Sequence, residues 1–392
     1  MATPFDEVLV TVTGRHEPGL VSSLTRILAA CGAVLVDVEQ VSLRGRSLLG
    51  LLVRLPREGR CLAELARAAA EHGVELDFEP VESMPEPVRQ RFVATVFGAA
   101  IGAAELHAVT DAIVRHGGRL RTIERLAESP QAAFEMHLGL PADSDPRALQ
   151  RALLQLAAAH TFDVALQRES VYRRAKRLVV FDMDSTLIRI EVIDELARAH
   201  GVVDRVAQIT ERAMQGEMDF DESLRQRVAL LRGLDVGVLD RIAANLPLTE
   251  GAETLVRALE RLGYRVAVIS GGFSVAAEAL RARLGLDWAH SNVLEVRDGK
   301  LTGGIVGPIV NAARKAELLG EIAAREGILL EQVIAVGDGA NDLLMLQKAG
   351  LGIAFRAKPK LREAADLSIA ASGLDAILYL LGLGAREIAE LS

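Results

Sequence analysis

An α/β fold is predicted, with a parallel sheet that carries an inserted helical cap and follows two smaller α+β units. Short apolar strands alternate with helices from about residue 177, which is typical of a parallel sheet covered on both faces. A mostly helical stretch at about 190–250 interrupts that alternation and is too long for a simple crossover. Upstream, a βαββαβ order, the ferredoxin-like arrangement, occurs twice. The expected domains are therefore 1–82, 88–168 and 177–392.

The composition indicates an ordinary globular protein. Half of the 392 residues are hydrophobic and a quarter are charged, a balance that excludes wholesale disorder. The apolar runs are far shorter than the roughly 20 residues needed to cross a bilayer, and the acidic N-terminus lacks the basic start of a signal peptide. Cys31 and Cys61 cannot form a disulfide framework, which favours a reducing, cytoplasmic location.

Charge and aromatic content argue against nucleic acid as a partner. The formal net charge is -8 and aromatic residues make up only 4% of the chain. We therefore expect neither a general basic surface nor stacking platforms for single strands. With no membrane segment expected either, a soluble multidomain protein remains.

The first unit, 1–82, has a clear signal for each element. An amphipathic helix is predicted over Leu20–Ala30, because apolar residues recur there at the helical spacing and Pro18-Gly19 stands just before it. The other predicted elements are strands at 8–12, 33–41 and 47–55 and a second helix at 61–72.

A proline-rich spacer separates the first unit from the second. Pro80, Pro85 and Pro87 fall close together, a composition typical of a linker. The pattern of the first unit then recurs at a near-constant offset, which indicates a duplicated module. The predicted elements of the second unit, 88–168, are strands at 91–97, 119–128 and 132–140 and helices at 105–116 and 146–160.

The third part, 177–392, is predicted to form the parallel sheet. A hairpin is expected after its second strand, since Asp298-Gly299 is a strong signal for a type I′ turn. The predicted sheet strands are 178–181, 266–269, 333–336 and 352–355, and the hairpin strands are 293–296 and 300–302.

Polar residues follow three of these strands, at the edge where open parallel sheets bind ligands. Lys315 lies near the start of the helix that precedes the third of them. Together they supply carboxylates, a hydroxyl, glycine amides and one cation. The clusters are Asp182-Met183-Asp184-Ser185-Thr186, Ser270-Gly271-Gly272 and Gly337-Asp338-Gly339-Ala340-Asn341-Asp342.

The carboxylates predict a magnesium site. Asp182 and Asp184 are two residues apart, so in an extended segment both side chains point to the same side, where like charges repel. Asp338 and Asp342 come from another strand end, and a hard divalent cation with oxygen ligands reconciles these charges. Mg²⁺ fits best, whereas zinc is not expected because the eight histidines are scattered.

The same residues suit phosphoryl transfer. A carboxylate can attack phosphorus and form an aspartyl-phosphate, and a second carboxylate can protonate the leaving alkoxide and then activate water. Positive charge and hydrogen-bond donors must surround the phosphoryl oxygens. Lys315, the Ser270 hydroxyl and the Gly271 amide, expected at a helix N-terminus, meet that need.

These motifs resemble those of the haloacid dehalogenase-like phosphatases. The run that begins at Asp182 is similar to their DxDST first motif, and Ser270-Gly271-Gly272 is similar to the second. Lys315 matches the third motif, and the run around Asp338 matches the fourth. The resemblance covers about 177–375 and implies a Rossmann-like parallel sheet with an inserted helical cap.

A narrower resemblance is to the phosphoserine phosphatase family. It rests on Glu191 and on the stretch Phe220-Asp221-Glu222-Ser223-Leu224-Arg225-Gln226-Arg227-Val228. It implies Mg²⁺-dependent hydrolysis of O-phospho-L-serine, the last step of serine biosynthesis. Glu191 would face the substrate ammonium and Arg227 its carboxylate, which agrees with the bidentate fit of guanidinium to carboxylate.

The resemblance also implies roles for the strand-end residues. Asp182 would be the nucleophile and Asp184 the general acid and base. Mg²⁺ would be held by the Asp182 side chain, the Asp184 backbone carbonyl and Asp338, with Asp342 ordering the site or binding the ion. The residues that hold the phosphate would be Ser270, Gly271, Lys315 and Asn341.

The two N-terminal units resemble ACT domains, small ferredoxin-like units that bind amino acids in metabolic enzymes. Gly14-Arg15-His16-Glu17-Pro18-Gly19-Leu20 is close to the ligand loop of that family, although His16 replaces the usual acidic residue. The matching stretch of the second unit, Gly98-Ala99-Ala100-Ile101-Gly102, lacks the Pro-Gly pair. The resemblance implies a homodimer formed through the ACT domains, with serine as an effector.

Two alternatives to this function stay open at the level of sequence. One is a phosphatase or phosphotransferase for another small phosphorylated metabolite, against which Glu191 and Arg227 argue. The other is an amino-acid sensor with a non-catalytic phosphatase domain, against which the intact Asp182 and Asp184 argue. Phosphate release from phosphoserine and from other phosphate esters, together with equilibrium binding of serine, distinguishes all three.

Overall fold

The computed structural model describes residues 5–15, 17–56, 60–81, 89–129, 131–358, 361–362 and 365–391. The chain divides into two compact units, Met1–Pro87 and Val88–Ser392. His16 and most of the proline-rich spacer lie outside the described residues.

The first unit is a four-stranded antiparallel sheet with two helices. The strand order is β2-β3-β1-β4. The predicted helix over Leu20–Ala30 is confirmed, and it buries the apolar residues that recur at the helical spacing. Its elements are β1 Phe5–Arg15, α1 Leu20–Ala30, β2 Val34–Leu43, β3 Arg46–Pro56, α2 Cys61–Glu71 and β4 Glu75–Pro80.

The second unit begins with the repeated βαββαβ module. Its four strands pair antiparallel in the order β8-β5-β7-β6, so both predicted ferredoxin-like arrangements are confirmed. The elements are β5 Arg89–Gly98, α3 Ala103–Arg115, β6 Arg119–Ala127, β7 Ala132–Pro141, α4 Pro146–Ala159 and β8 Phe162–Arg168.

A parallel sheet follows, as predicted. Its order is β11-β10-β9-β13-β14-β15, with the first strand along the chain, β9, at the centre between β10 and β13. Three of the strands, β9, β13 and β14, are fully buried apolar runs because helices cover both faces. They are β9 Leu178–Phe181, β10 Arg265–Phe273, β11 Trp288–Arg297, β13 Val333–Gly337, β14 Leu351–Phe355 and β15 Leu367–Ile369.

Helices occupy the stretch predicted to form the cap. They are α5 Val192–His200, α6 Val203–Met214, α7 Phe220–Ala229 and α8 Val236–Ala244. The remaining helices are α9 Ala252–Arg261, α10 Ser274–Leu284, α11 Ala312–Arg325, α12 Leu343–Lys348, α13 Ile377–Leu380 and α14 Ala385–Leu391. Among the described residues, no helix is both long and apolar enough to cross a membrane.

The predicted hairpin is present. Strand β12, Lys300–Val306, pairs antiparallel with β11. Asp298 and Gly299 have φ angles of 51° and 73°, the two positive values that a type I′ turn requires. This turn joins the two hairpin strands at the predicted position.

The second module, the parallel sheet and the hairpin strand β12 form one continuous sheet of 11 strands. The junction is the antiparallel pair of Ser368 in β15 with Val164 in β8. The buried Asp163 carboxylate accepts hydrogen bonds from the backbone amides of 370–372, just after β15. These bonds tie the module to the strand layer that carries the site.

Candidate active site

The central strand β9 delivers Asp182 to the carboxyl edge of the sheet. Asp182 is only 4% exposed, and its Oδ1 accepts a hydrogen bond of 2.8 Å from the Met183 amide. Three residues after Asp182, Ser185 has a φ of 57°, an unusual conformation for a non-glycine residue. Ser185 therefore takes a left-handed backbone conformation just after Asp184, within the short turn at 183–187.

Lys315 is the positive centre of the site. It is fully buried, and its Nζ lies 2.7 Å from Asp182 Oδ1 and 2.7 Å from Asp342 Oδ1. Burial acts to lower the pKa of Lys315, but the two carboxylates outweigh it and raise the pKa. The ammonium is thus held charged between two strand ends, beside the predicted nucleophile.

Three carboxylates gather around Asp182. One oxygen each from Asp182, Asp338 and Asp342 lie within 4.8 Å of one another. The fully buried Thr186 hydroxyl donates to Asp338 Oδ1 over 3.3 Å, and the Gly339 amide donates to Asp342 Oδ2 over 3.0 Å. Oxygen ligands at such spacing suit a hard divalent cation, because one ion offsets the repulsion among the carboxylates.

Burial and mutual repulsion raise the pKa values of these acids. Burial, followed by the charge of Asp342, raises the pKa of Asp182 and raises that of Asp338 to about 6. For Asp184, burial and then the charge of Glu191 raise the pKa well above its ordinary value. Each shift has the sign expected for buried carboxylates that lie close to other negative charges.

Asp184 stands apart from the three-carboxylate cluster. Its Oδ1 accepts a 3.1 Å hydrogen bond from the Val192 amide at the start of α5, the first cap helix. Its Oδ2 approaches Gly272 so closely that a Cβ at that position would collide with it. Position 272 of the second motif therefore requires glycine, because a side chain there would collide with Asp184.

The second motif lies at the end of β10. The Ser270 hydroxyl is buried and accepts a 2.8 Å hydrogen bond from the Gly272 amide. The expectation that the Gly271 amide lies at a helix N-terminus is wrong: β10 continues to Phe273, and α10 starts at Ser274. Gly271 lies in the irregular stretch of β10 between Ile269 and Phe273, so its amide belongs to a strand end and not to a helix N-terminus.

Cap residues of opposite charge lie next to Asp184. Glu191 precedes α5 and accepts a 2.8 Å hydrogen bond from the Ser185 hydroxyl. Burial lowers the pKa of Arg227, while the charges of Glu191, Asp194 and Asp184 act against that shift. An anion and a partly buried cation therefore stand on the same side of the site.

The structure also contains site residues that the sequence did not predict. Asn292 is buried in β11; its Nδ2 donates to the Gly271 carbonyl and its Oδ1 accepts from the Val310 amide, each over 2.8 Å. It thereby joins the second motif to the segment that leads into α11. Neither strand periodicity nor local spacing distinguishes such an asparagine, because both partners are distant in sequence.

Asn341 lies in the turn after β13, with its Oδ1 against Gly339. The other predicted site residues meet at the carboxyl ends of β9, β10 and β13, with Glu191 and Arg227 contributed by the cap. The arrangement provides a buried carboxylate at a strand end, a buried cation, a candidate metal site and a separate acid. It can support phosphoryl transfer through a carboxylate.

Family models match all three parts of the chain. A model described as haloacid dehalogenase-like hydrolase matches residues 176–350. Two ACT-domain models match residues 6–79 and 91–167. The chain therefore carries one haloacid dehalogenase-like domain and two ACT domains.

Individual relatives narrow the assignment. Phosphoserine phosphatase SerB2 of Mycobacterium tuberculosis is 46% identical over 387 residues, which are 97% of this chain and 94% of the relative. A solved HAD family hydrolase from Salmonella enterica is 33% identical with a TM-score of 0.66, covering 74% of this chain and 98% of that one. A phospho-aspartyl intermediate analogue of phosphoserine phosphatase is 48% identical with a TM-score of 0.50, covering 52% and 98%. The chain belongs to the phosphoserine phosphatase family of haloacid dehalogenase-like hydrolases.

Proposed function

We propose that this protein is a Mg²⁺-dependent phosphoserine phosphatase that converts O-phospho-L-serine and water into L-serine and phosphate, the last step of serine biosynthesis. The observation that carries the proposal is the buried Lys315 ammonium, 2.7 Å from Asp182 beside further carboxylates. That group needs a function, since burying several charges is costly unless they are used or fully paired. The name of the full-length relative supports the substrate.

The first chemical step forms an aspartyl-phosphate on Asp182. A carboxylate oxygen of Asp182 attacks phosphorus, and the bond between phosphorus and the serine oxygen breaks. Asp184 donates its proton to that oxygen, so serine leaves as a neutral alcohol. The separate position of Asp184, held by the Val192 amide, suits this second role.

The second step returns the enzyme to its starting state. Asp184, now ionised, takes a proton from water while the water oxygen attacks phosphorus. The bond from phosphorus to Asp182 breaks and phosphate departs, with Asp184 protonated again. Lys315, Ser270 and the Gly271 amide stabilise the charge on the phosphoryl oxygens in both steps. A relative solved as a phospho-aspartyl analogue supports this route.

Magnesium would be held by the Asp182 side chain, the Asp184 backbone carbonyl and Asp338, with Asp342 ordering the site. When bound, the ion supplies positive charge that favours the approach of an anionic phosphate to an anionic carboxylate. The oxygen-only cluster within 4.8 Å supports a hard cation. Asp342 already pairs with Lys315, which suits a supporting position.

Recognition of the amino-acid head rests on Glu191 and Arg227. A zwitterion needs an anion for its ammonium and a cation for its carboxylate, and these two side chains stand beside Asp184, the acid that meets the serine oxygen. The Arg227 guanidinium is partly buried, so water screens its interaction with a carboxylate less than at a fully exposed position. Substrates without that head lose both contacts.

Replacing Arg227 with alanine is expected to lower kcat/KM for L-phosphoserine about a hundredfold, as for one partner of a buried charge pair. For p-nitrophenyl phosphate, which has no carboxylate, the change should stay within about threefold. Steady-state phosphate release with both substrates measures the difference. Arg225→Ala, on the same helix but exposed, is the matched control.

An equal fall for both substrates in the Arg227→Ala variant would mean that Arg227 does not bind the substrate carboxylate. Failure of wild-type enzyme to prefer phosphoserine over other small phosphate esters would favour a different metabolite as substrate. These two results are distinct, because the second concerns the wild-type protein alone.

The N-terminal part is proposed to act in assembly and regulation. All ten residues of β2, an edge strand of the first unit, are exposed, and they include Val41 at 59% and Leu43 at 73%. An exposed apolar edge strand favours pairing with a second copy, hence a homodimer through the ACT domains. Serine, the product, is the proposed effector.

The proposed effector site lies in the first unit beside Glu17-Pro18-Gly19-Leu20, part of the stretch that resembles the ACT ligand loop. A cavity of about 550 Å³ there is lined by Glu17, Gly19, Gln40 and Ser47 among others. Its polar groups suit a small amino acid. We keep the domain limits at 1–82, 88–168 and 177–392 with the cap at about 190–250, and we place the protein in the cytoplasm because its two cysteines suit a reducing compartment.

A further inference from the structure

One hydrogen bond joins the helix that carries Arg227 to the helix that carries Lys315. Asn311 Nδ2 donates to Asp221 Oδ1 over 3.1 Å. Asp221 stands in the first turn of α7, and Asn311 is the residue that caps α11. The bond therefore connects the cap to the parallel-sheet part, at the point where both face the site.

Asn311 has a defined orientation because both ends of its amide are used. Its Oδ1 accepts a 3.1 Å hydrogen bond from the Arg314 amide, and its backbone carbonyl accepts 2.8 Å from the Lys315 amide. The Nδ2 atom is thus directed at Asp221 by the capping geometry itself. Any displacement of α7 relative to α11 must stretch this bond.

The residue before Asp221 reaches the phosphate-binding motif. A Cβ built on Gly271 would lie 3.0 Å from the tip of the Phe220 ring, so the ring rests against the glycine. Asn292 links the Gly271 carbonyl to Val310, the residue before Asn311. The first turn of α7 therefore contacts both elements that would hold the phosphate, the second motif at Gly271 and the start of α11 at Asn311.

We propose that Asp221 and Asn311 are a positioning pair, which sets the distance between the Arg227 guanidinium and the Lys315 ammonium and so matches the site to the length of phosphoserine. This inference rests on the proposed function. Neither residue needs to touch the substrate. The pair acts by holding α7 over the site when the two ends of one substrate are bound by different parts of the protein.

Reciprocal exchange of the two side chains tests the pair. Asn311→Asp places two carboxylates opposite each other but keeps a residue that caps α11. Asp221→Asn keeps an acceptor for Asn311. The double variant, Asp221→Asn with Asn311→Asp, restores the bond with donor and acceptor reversed. Glu222→Gln, in the same helix turn but exposed, is the control.

For Asn311→Asp we expect kcat/KM for L-phosphoserine to fall about tenfold, mainly through KM, the size expected for a hydrogen bond to a charged group. The value for p-nitrophenyl phosphate should change by less than about threefold, because that ester does not use both ends of the site. Asp221→Asn and the control should stay near wild type, and the double variant should recover most of the loss.

An unchanged KM in Asn311→Asp, or a double variant as poor as that single variant, would overturn the proposal. Recovery in the double variant also excludes a simple effect of negative charge at position 311. Hydrogen exchange of the α7 amides, measured on the same proteins without substrate, should be faster in Asn311→Asp and normal in the double variant. Hydrogen exchange therefore tests whether Asp221 and Asn311 hold α7 in place, even if the wild-type protein does not hydrolyse phosphoserine.

Discussion

Replacing Asp182 with asparagine is expected to lower phosphate release from L-phosphoserine by about a thousandfold or more, the order seen when a nucleophile is removed. The amide has the shape of the carboxylate but cannot attack phosphorus. The fold should survive, because the substitution relieves repulsion from Asp338 and Asp342 while Lys315 keeps its bond to Asp342. Steady-state phosphate release and thermal unfolding measure the two effects.

The control for this prediction is Asp204→Asn, an exposed aspartate in cap helix α6. It should leave both turnover and the unfolding midpoint near those of wild type. Substantial turnover by Asp182→Asn would contradict the covalent route. A collapse of its thermal stability would instead mean that Asp182 is needed for the fold, and the loss of turnover would then say nothing about a nucleophile.

Replacing Lys315 with methionine should reduce both turnover and stability. Methionine fills a similar volume but leaves Asp182 and Asp342 buried without their cation. Breaking a buried ion pair in this way lowers the thermal unfolding midpoint by roughly 10 °C in a protein of this size. Turnover should fall at least about a hundredfold, since a donor to the phosphoryl oxygens is lost.

Added Mg²⁺ separates the two consequences of the Lys315→Met change. A cation at the carboxylate cluster should recover part of the lost stability without recovering turnover. Lys348→Met is the matched control, because Lys348 donates to a backbone carbonyl of α11, that of Ala316, and not to a carboxylate of the site. A Lys315→Met variant as stable and active as this control would contradict the assigned position of Lys315.

Much of the fold follows from local sequence signals. The amphipathic period predicts α1 with the limits that the structure has, Leu20–Ala30, and the apolar run at Leu178–Phe181 predicts β9. Asp298-Gly299 predicts its turn because few residue pairs adopt two positive φ angles. These features depend on neighbours within a few residues, which the sequence displays directly.

Features that depend on distant contacts were not predictable. The strand β15 has only three residues, and it is held by pairing with β14 and β8. The pairing of β15 joins the second module and the parallel strands into one sheet. No residue pattern near β15 in the sequence predicts that junction. Likewise, Gly271 lies in β10 and α10 starts only at Ser274, because pairing with β11 resumes at Phe273 after an irregular stretch that has no local signal.

The candidate site was predictable where strand order determines it. In a parallel sheet, residues just after β9, β10 and β13 must meet, so the carboxylates and Ser270 could be placed together from their positions in the chain. The contacts of Asn292 and Asn311 could not, since each joins segments that only the folded chain brings together. Asn311 has a local signal only as a helix cap.

The most direct test of the proposed function is phosphate release from L-phosphoserine by the full chain, with Mg²⁺, after chelation, and with Mg²⁺ restored. We predict release that chelation abolishes and that restored Mg²⁺ recovers. Release unaffected by chelation would contradict the proposed dependence on Mg²⁺. No release with Mg²⁺, with phosphothreonine and simple phosphate esters also inert, would contradict the enzyme and leave an amino-acid sensor as the better account.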